Sequence, residues 1–249
     1  MATAKKTKAK KSGKTSKSRA HAWISMRPMR WVVRWGSRIA LASIAVALFL
    51  VVLFSVINPP TTMFMASESW RLGGVQQNWV DLEGVDPIMA RAVVAGEDAN
   101  FCNHWGFDLA AIRAALDAGS KRGASTISQQ TVKNVYLWHG RSWVRKVIEA
   151  GMTPMVEAVW TKRRIIEVYL NIAEFDEGVF GVHAAAKHYF GVSPDKLSNV
   201  QAARLAAVLP SPKTRSASKP SAGVRKRAAA ILDGAATIRA DGRSACFES

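Results

Sequence analysis

Three short segments of this sequence carry residue types and spacings that suit chemistry. In the first, Glu97 and Asp98 follow the apolar run IMARAVVAG and are trailed by Phe101, His104 and Trp105. An acid at the C-terminal end of a helix meets an unfavourable dipole, so Glu97 is oddly placed for a purely structural role. Held against apolar neighbours such as Phe101, its carboxyl would titrate high enough to act as a general base. The bland alternative is an ordinary acidic helix end.

The second segment runs from Gly123 to Asn134, GASTISQQTVKN. As a helix from Ser125 or Thr126 it sets Thr126, Gln129, Gln130, Lys133 and Asn134 on one face. That face is hydrogen-bonding with a single cation, suited to sugar hydroxyls and phosphate oxygens. A solvated stripe is its bland reading, although such stripes usually favour Glu, Lys and Arg over a Gln-Gln pair. In the third segment Arg145 and Glu149 stand four apart, an intrahelical pair worth only about 0.2–0.5 kcal/mol by itself. The surroundings add weight, because Lys133, Arg141, Arg145 and Lys146 put four cations within fourteen residues.

The elements that must hold these groups read as mainly helical, with apolar residues at three- and four-residue spacing in Ala-rich windows and few alternating stretches. Asp86-Pro87 supplies an N-cap and a first-turn proline for a helix ending near Gly96. A second helix is predicted from Asp108 to Gly119. Ser198 with Gln201 forms a capping-box pattern ahead of a helix ending before Pro210. Pro154 should kink or end the helix that carries Glu149. After Pro212 the composition turns to Ser, Lys, Ala and Gly, predicting a loosely packed basic segment with one helix around Val224 to Ile238.

Charge is uneven. Lys and Arg total 35 against 18 acids, and residues 1–38 hold seven Lys, five Arg and no acid, so +12 of the net +17 belongs to this tail. It predicts a solvated arm touching anionic lipid; with no nucleic-acid module and no aromatic interleaving before His21, a nucleic-acid role has no support. Ile39 to Ile57 follows, 19 residues without a charge. As a helix it spans about 29 Å, enough for a bilayer's hydrocarbon layer. A cleaved signal peptide is the competing reading, with a shorter apolar core and a better cleavage pattern than this one. The basic flank places residues 1–38 in the cytoplasm, with Trp23, Trp31 and Trp35 as an interfacial belt. Asn58-Pro59-Pro60 ends the helix. The organisation is thus a basic cytoplasmic tail (1–38), a transmembrane helix (39–57), a membrane-proximal linker (58–80), a catalytic domain (81–215) and a basic C-terminal segment (216–249). Two cysteines exclude a disulfide scaffold and a thiolate zinc cage; pairing of Cys102 with Cys246 is left open.

Taken together, the segments resemble the family 51 glycosyltransferases, the peptidoglycan polymerases. The resemblance covers about residues 83–212: E-D-x-x-F-x-x-H-x-G at Glu97 to Gly106, G-x-S-T-I-x-Q-Q-x-x-K-N at Gly123 to Asn134, and R-K-x-x-E at Arg145 to Glu149. It continues through Glu167-Val-Tyr169-Leu-Asn171 and Tyr189-Phe190-Gly191. With no K-T-G motif, the chain is similar to the monofunctional members.

The resemblance implies a lysozyme-like, mainly α glycosyltransferase domain behind one transmembrane helix, in the bacterial inner membrane with its catalytic domain outside the cytoplasm. Lipid II and a lipid-linked glycan chain are the implied substrates, undecaprenyl pyrophosphate the leaving group, and inversion the stereochemical course. It implies Glu97 and Glu149 as catalytic residues, with Glu149 helping the pyrophosphate leave through a divalent cation such as Mg²⁺ or through neighbouring cations. Lys133, Arg141, Arg145, Lys146, Thr126, Gln130 and Asn134 would bind substrate; Asp98, Phe101, His104, Ser125 and Gln129 would support the site. Cell-wall synthesis or division proteins are the open partners. Tyr169 and the Glu167–Asn171 pair read as architecture. Departures sit at Ala99-Asn100, Ala124 and Cys102. Two rivals are a lysozyme-like hydrolase or lytic transglycosylase, which has no pyrophosphate for the cations to neutralise, and a non-catalytic membrane-tethered scaffold.

Overall fold

The computed structural model describes residues 1–2, 27–117, 119, 125–140 and 142–248. Arg141, Gly123, Ala124, Trp23 and most of the basic tail lie outside these. The chain divides into Met1–Val46 and Ala47–Ser249, and each unit is described by itself.

The first unit holds most of α1 (Arg27–Val56). Residues 27–38, read as part of a solvated arm, are helical instead: the one proline of RPMRWVVRWGSR stands in the first turn, where it is tolerated, and Gly36 is carried within the longer helix. Trp31 and Trp35 lie one turn apart with ring centroids 6.2 Å from each other. Within Met29–Val56 an 18-residue window has a mean hydropathy of 2.9, and the helix is long and apolar enough to cross a membrane.

In the second unit, α1 stops two residues short of Asn58-Pro59-Pro60, and its open carbonyls are taken by one side chain. Arg164 donates to Phe54 O at 3.2 and 3.1 Å and to Ile57 O at 3.0 Å, while Trp160 Nε1 donates to Val51 O at 2.7 Å. A cation at a helix C-terminus is favoured by hydrogen bonding and by the dipole. The stretch read as a linker is folded. Thr62 caps α2 (Met63–Leu72), which buries Met65 and Glu68, and β1 (Gln76–Gln77) enters a small sheet of order β1-β3-β2, with β2 at Glu174–Asp176 and β3 at Val179–Phe180.

The helices that matter for the site follow from local signals. Asp86 accepts from Ile88 N and Pro87 opens α3 (Pro87–Glu97). Asp108 accepts from Ala111 N at the start of α4 (Leu109–Asp117). Thr126 caps α5 (Ile127–Tyr136), Ser142 caps α6 (Trp143–Val159), and Thr161 caps α7 (Lys162–Ile172). Pro154 does not end α6: the carbonyl that its missing N–H strands belongs to exposed Ala150, where water can satisfy it. α7 is central, with Ile165, Ile166, Val168, Tyr169, Leu170 and Ile172 all buried. Beyond it come α8 (Gly181–Phe190) and α9 (Asn199–Val208), the latter opened by the Ser198–Gln201 capping box.

The C-terminal segment is packed, not loose. α10 (Ala222–Ala240) buries Val224, Ala228, Ile231, Ala235 and Ile238, a stripe of alternating four- and three-residue steps that lies on α3 and α9. α9 answers with Ala202, Ala203, Ala206 and Ala207, and small side chains allow the close approach. Gly96 is part of the same contact, since a Cβ there would meet Ile231 Cδ1 at 3.0 Å. A last short helix, α11 (Ala245–Glu248), is tied back by a Cys102–Cys246 disulfide across 144 residues of sequence.

Candidate active site

Glu97 is the last residue of α3, where it ends against α10 and α5. Its Oε2 accepts from Gln130 Nε2 at 3.1 Å, and its Oε1 accepts from Arg227 Nη2 at 3.0 Å. Burial pushes its carboxyl above the ordinary range; the Gln130 hydrogen bond and the charges of Arg227 and Arg215 pull part of the way back. The result is a largely buried carboxylate that titrates high, as a base working near neutrality requires.

Gln130 is held in turn. Tyr169 Oη donates to Gln130 Oε1 at 3.1 Å. Burial, reinforced by the charges of Glu97 and Asp98, pushes the Tyr169 phenol well above its usual value, so it keeps the proton that it donates to Gln130. The amide oxygen is thereby fixed toward Tyr169 and the amide nitrogen toward Glu97. Tyr169 is thus architectural, as its spacing indicates, but its architecture ends one bond from Glu97.

Asp98 points away from Glu97's partners. One oxygen accepts from Ile127 N at 2.9 Å, at the start of α5, and the other lies 2.8 Å from His104 Nε2. A carboxylate at a helix N-terminus is favoured, so Asp98 fixes the end of α5 that bears Gln130. Phe101 is fully buried beneath Lys162, whose Nζ lies 4.5 Å from its ring centroid and donates to His104 O at 2.8 Å. Asp98, Phe101 and His104 therefore brace the turn after Glu97. Behind them, buried Glu157 accepts from Lys162 at 2.8 Å and from Ser128, joining α5, α6 and α7. Gly106 adopts φ of +84°, and a Cβ there would come within 2.6 Å of Thr153 Cγ2. Only glycine satisfies both demands at that bend.

Thr126 and Gln129 have a different task from the one their helical face indicated. They form a capping box: Thr126 Oγ1 accepts from Gln129 N at 3.2 Å, and Gln129 Oε1 accepts from Thr126 N at 3.1 Å. The Thr126 hydroxyl also donates to Gly106 O at 2.7 Å, so it is buried and committed to the fold rather than offered to a sugar.

The cations come from α5 and from the first turn of α6. Arg145 Nη1 lies 2.7 Å from one Glu149 oxygen, and Lys146 Nζ bonds the other. Lys146 Nζ also lies 3.4 Å from Ser125 Oγ. Lys133 has no hydrogen-bond or ion-pair partner among the described residues. Burial lowers its pKa, Glu149 and Glu97 raise it, and Arg145 and Lys146 lower it, so all of these groups share one electrostatic neighbourhood. Asn134 Oδ1 is likewise buried without a partner.

Two cavities flank this arrangement. One, of about 990 Å³, is lined by Glu97, Ser125, Gln130, Arg215, Lys226 and Arg227. The other, of about 430 Å³, is lined by Gln130, Lys133, Asn134, His139, Tyr169 and Lys213. Gln130 faces both. Arg215, Lys226 and Arg227 were missed in the sequence because they lie in a stretch whose composition reads as loose; the α10 stripe was the available signal, since Arg227 falls between Val224 and Ile231 on the packed face. Lys213 was missed for the same reason. It lies 2.9 Å from Glu68 and 3.6 Å from Glu174.

Residues 66–236 match the family described as Transglycosylase. The chain belongs to the transglycosylase family. It is 53% identical over 239 residues to a protein of Jannaschia sp. (strain CCS1), covering 96% of this chain and 99% of that one. A Pseudomonas fluorescens (strain SBW25) protein is 49% identical over 85% of this chain and 89% of its own. One from Yersinia pestis (strain Pestoides F) is 46% identical over 80% and 87%. All three are described as biosynthetic peptidoglycan transglycosylases. The transglycosylase match extends through most of α10, so the segment that supplies Arg227 belongs to the matched region.

Proposed function

We infer that this chain is a peptidoglycan glycosyltransferase that joins lipid II units into glycan strands with inversion at the anomeric carbon. The observation that carries the reading is the division at Gln130, with a buried, high-titrating carboxylate in one cavity and a desolvated, unpartnered Lys133 in the other. Inversion needs the base and the departing group on opposite faces of the donor sugar.

In the reaction, Glu97 takes the proton of the acceptor sugar's 4-hydroxyl as that oxygen bonds to the donor's anomeric carbon. The bond from that carbon to the phosphate oxygen breaks, and its electron pair leaves with undecaprenyl pyrophosphate. Lys133, Arg145 and Lys146 meet the charge that develops there. Glu149 holds Arg145 and Lys146 in place from the turn that follows them. Asn134 offers its unpartnered Oδ1 to a donor hydroxyl.

A resident Mg²⁺ would find one carboxylate here, Glu149, whose two oxygens already face cations, and the described residues contain no group of three or more His, Cys, Asp or Glu suited to a metal. One carboxylate does not make a resident divalent-cation site of these residues, and in our reading the chain's own cations take the leaving-group role. The cations also weigh against the hydrolase reading, which has no pyrophosphate to neutralise.

The basic flank and the apolar helix support a single-pass inner-membrane protein with residues 1–38 in the cytoplasm and the catalytic domain outside it. Trp143, Val144 and Val147 leave large apolar side chains exposed on α6, beside the Arg145–Lys146 pair. A lipid-linked substrate suits such a face, where its head meets the cations while its tail stays in the bilayer.

The test incubates detergent-solubilised protein and Glu97→Gln with labelled lipid II and separates the products before and after lysozyme treatment. Lysozyme-sensitive polymer from the wild type alone supports both the activity and the role of Glu97. Shortening of preformed strands without lipid II consumption replaces it with the hydrolase, and inactivity of folded protein in both assays with the scaffold.

A further inference from the structure

We propose that Arg227, on the C-terminal helix α10, is a positioning residue for Glu97: its guanidinium holds one carboxylate oxygen so that the carboxylate faces the acceptor in its proton-accepting form. The proposal rests on the reading of Glu97 as the base.

Four observations place this arginine. Its Nη2 bridges two acceptors at the end of α3, Gly96 O at 2.8 Å and Glu97 Oε1 at 3.0 Å, so the backbone and side chain of the turn are gripped by one group. A planar guanidinium makes such a double contact with a fixed direction, which a single ammonium does not. Its Nε is buried with no partner, a cost that stability alone does not explain and that marks a side chain placed for its far end. The helix that carries it sits close because Gly96 leaves no Cβ in the path of Ile231, and because Gly234 leaves only 3.2 Å between a would-be Cβ and that of Ala95. Finally, the segment is fastened beyond Arg227 to the turn that follows Glu97. Arg243 Nη1 donates to Ala99 O at 3.0 Å, and Cys246 is bonded to Cys102. α10, α11 and the turn between them thus grip residues 96, 97, 99 and 102, the base and its exit turn.

The charged and titratable groups around Glu97 leave this role to Arg227. Asp98 faces α5 and His104, Lys133 stands across Gln130, and Tyr169 touches Gln130 instead. Lys146 reaches Ser125. Arg215 and Lys226 line the same cavity without bonding the carboxylate. Arg227 is the cation in contact.

Wild type, Arg227→Gln, Arg227→Lys and Glu97→Gln are compared on lipid II for kcat and KM from pH 5 to 9, with thermal unfolding of each. Removing the cation raises the pKa of Glu97, so Arg227→Gln is expected to move the acid limb of kcat upward by about one pH unit, with KM within about twofold of wild type. Below the wild-type acid limb its kcat falls by roughly tenfold, and the deficit closes as pH rises past the shifted limb. Arg227→Lys restores part of both, and if the Gln variant fails to fold, the Lys variant must itself show an acid limb above that of wild type. An unmoved acid limb, whether kcat and KM decline together or KM alone rises, overturns the proposal. If the wild type makes no polymer, the activity reading falls and this inference with it. Polymer from the wild type but not from Glu97→Gln keeps that reading standing whatever Arg227 does.

Discussion

Glu97 and Glu149 are both largely buried carboxylates, yet they are held by opposite means. Glu149 takes its two partners, Arg145 and Lys146, from the preceding turn of its own helix. Glu97 takes one from α5, 33 residues away, and one from α10, 130 residues away. The carboxylate whose oxygens face two nearby cations is held in an ion-pair triad. The one with a neutral amide and a single distant cation is left titrating high. A site that must exchange a proton at one carboxyl and hold its cations in place with the other gains from this asymmetry.

The asymmetry can be broken most severely at Glu97. Glu97→Gln keeps the shape and the Gln130 neighbour but removes the base, and turnover of lipid II should fall by about 10²–10⁴-fold while lipid II binding, read by direct titration, persists. On the other side, Lys133→Met removes the unpartnered cation without opening a cavity. We expect a loss of about 10²–10³-fold in kcat, together with weaker product inhibition by added pyrophosphate. Equal inhibition of variant and wild type would show that Lys133 does not meet the diphosphate.

Acidity sharpens the contrast further. Glu97 must be ionised to accept a proton, and burial has raised its pKa, so kcat should decline as pH falls through a value above the ordinary carboxylate range. The sign for stability is opposite to that of a salt-bridged acid. A raised carboxyl contributes stability at low pH that is lost as pH rises through its folded value, so Glu97 weakens the fold at the pH where it works. A pH–rate profile whose acid limb sits at an unperturbed carboxylate would contradict the burial argument.

Smaller effects are expected one bond away. Tyr169→Phe frees the Gln130 amide to turn, and roughly tenfold lower kcat with about 1 kcal/mol of lost stability should follow, measured by turnover and chemical denaturation. Gly96→Ala presses a methyl against Ile231, at about 1–3 kcal/mol if neither side yields, and thermal unfolding reads it directly.

What was legible in the sequence follows the same division between near and far. The Asp86-Pro87 start, the Ser198–Gln201 box and the Arg145–Glu149 pair are local patterns, and the structure contains each. Thr126 was read for the wrong purpose even though its signal was local: Thr-x-x-Gln at 126–129 is the same capping pattern as Ser-x-x-Gln at 198–201, and helical periodicity masked it. Partners separated by long stretches of chain left no trace of that kind. Nothing adjacent to Glu97 indicates Arg227, and nothing adjacent to Cys102 indicates Cys246. The α10 stripe was present but diluted by alanine, which buries as readily as it sits in solvent, so composition made a packed helix look loose.

The Cys102–Cys246 bond has a topological consequence. It closes a covalent ring that contains α4 to α10, with Gln130, Lys133, Glu149, Tyr169 and Arg227 all inside it. A single backbone cut anywhere between residues 103 and 245 therefore opens a loop without releasing a piece, and the two strands of the nicked protein separate on a denaturing gel only after a reductant is added.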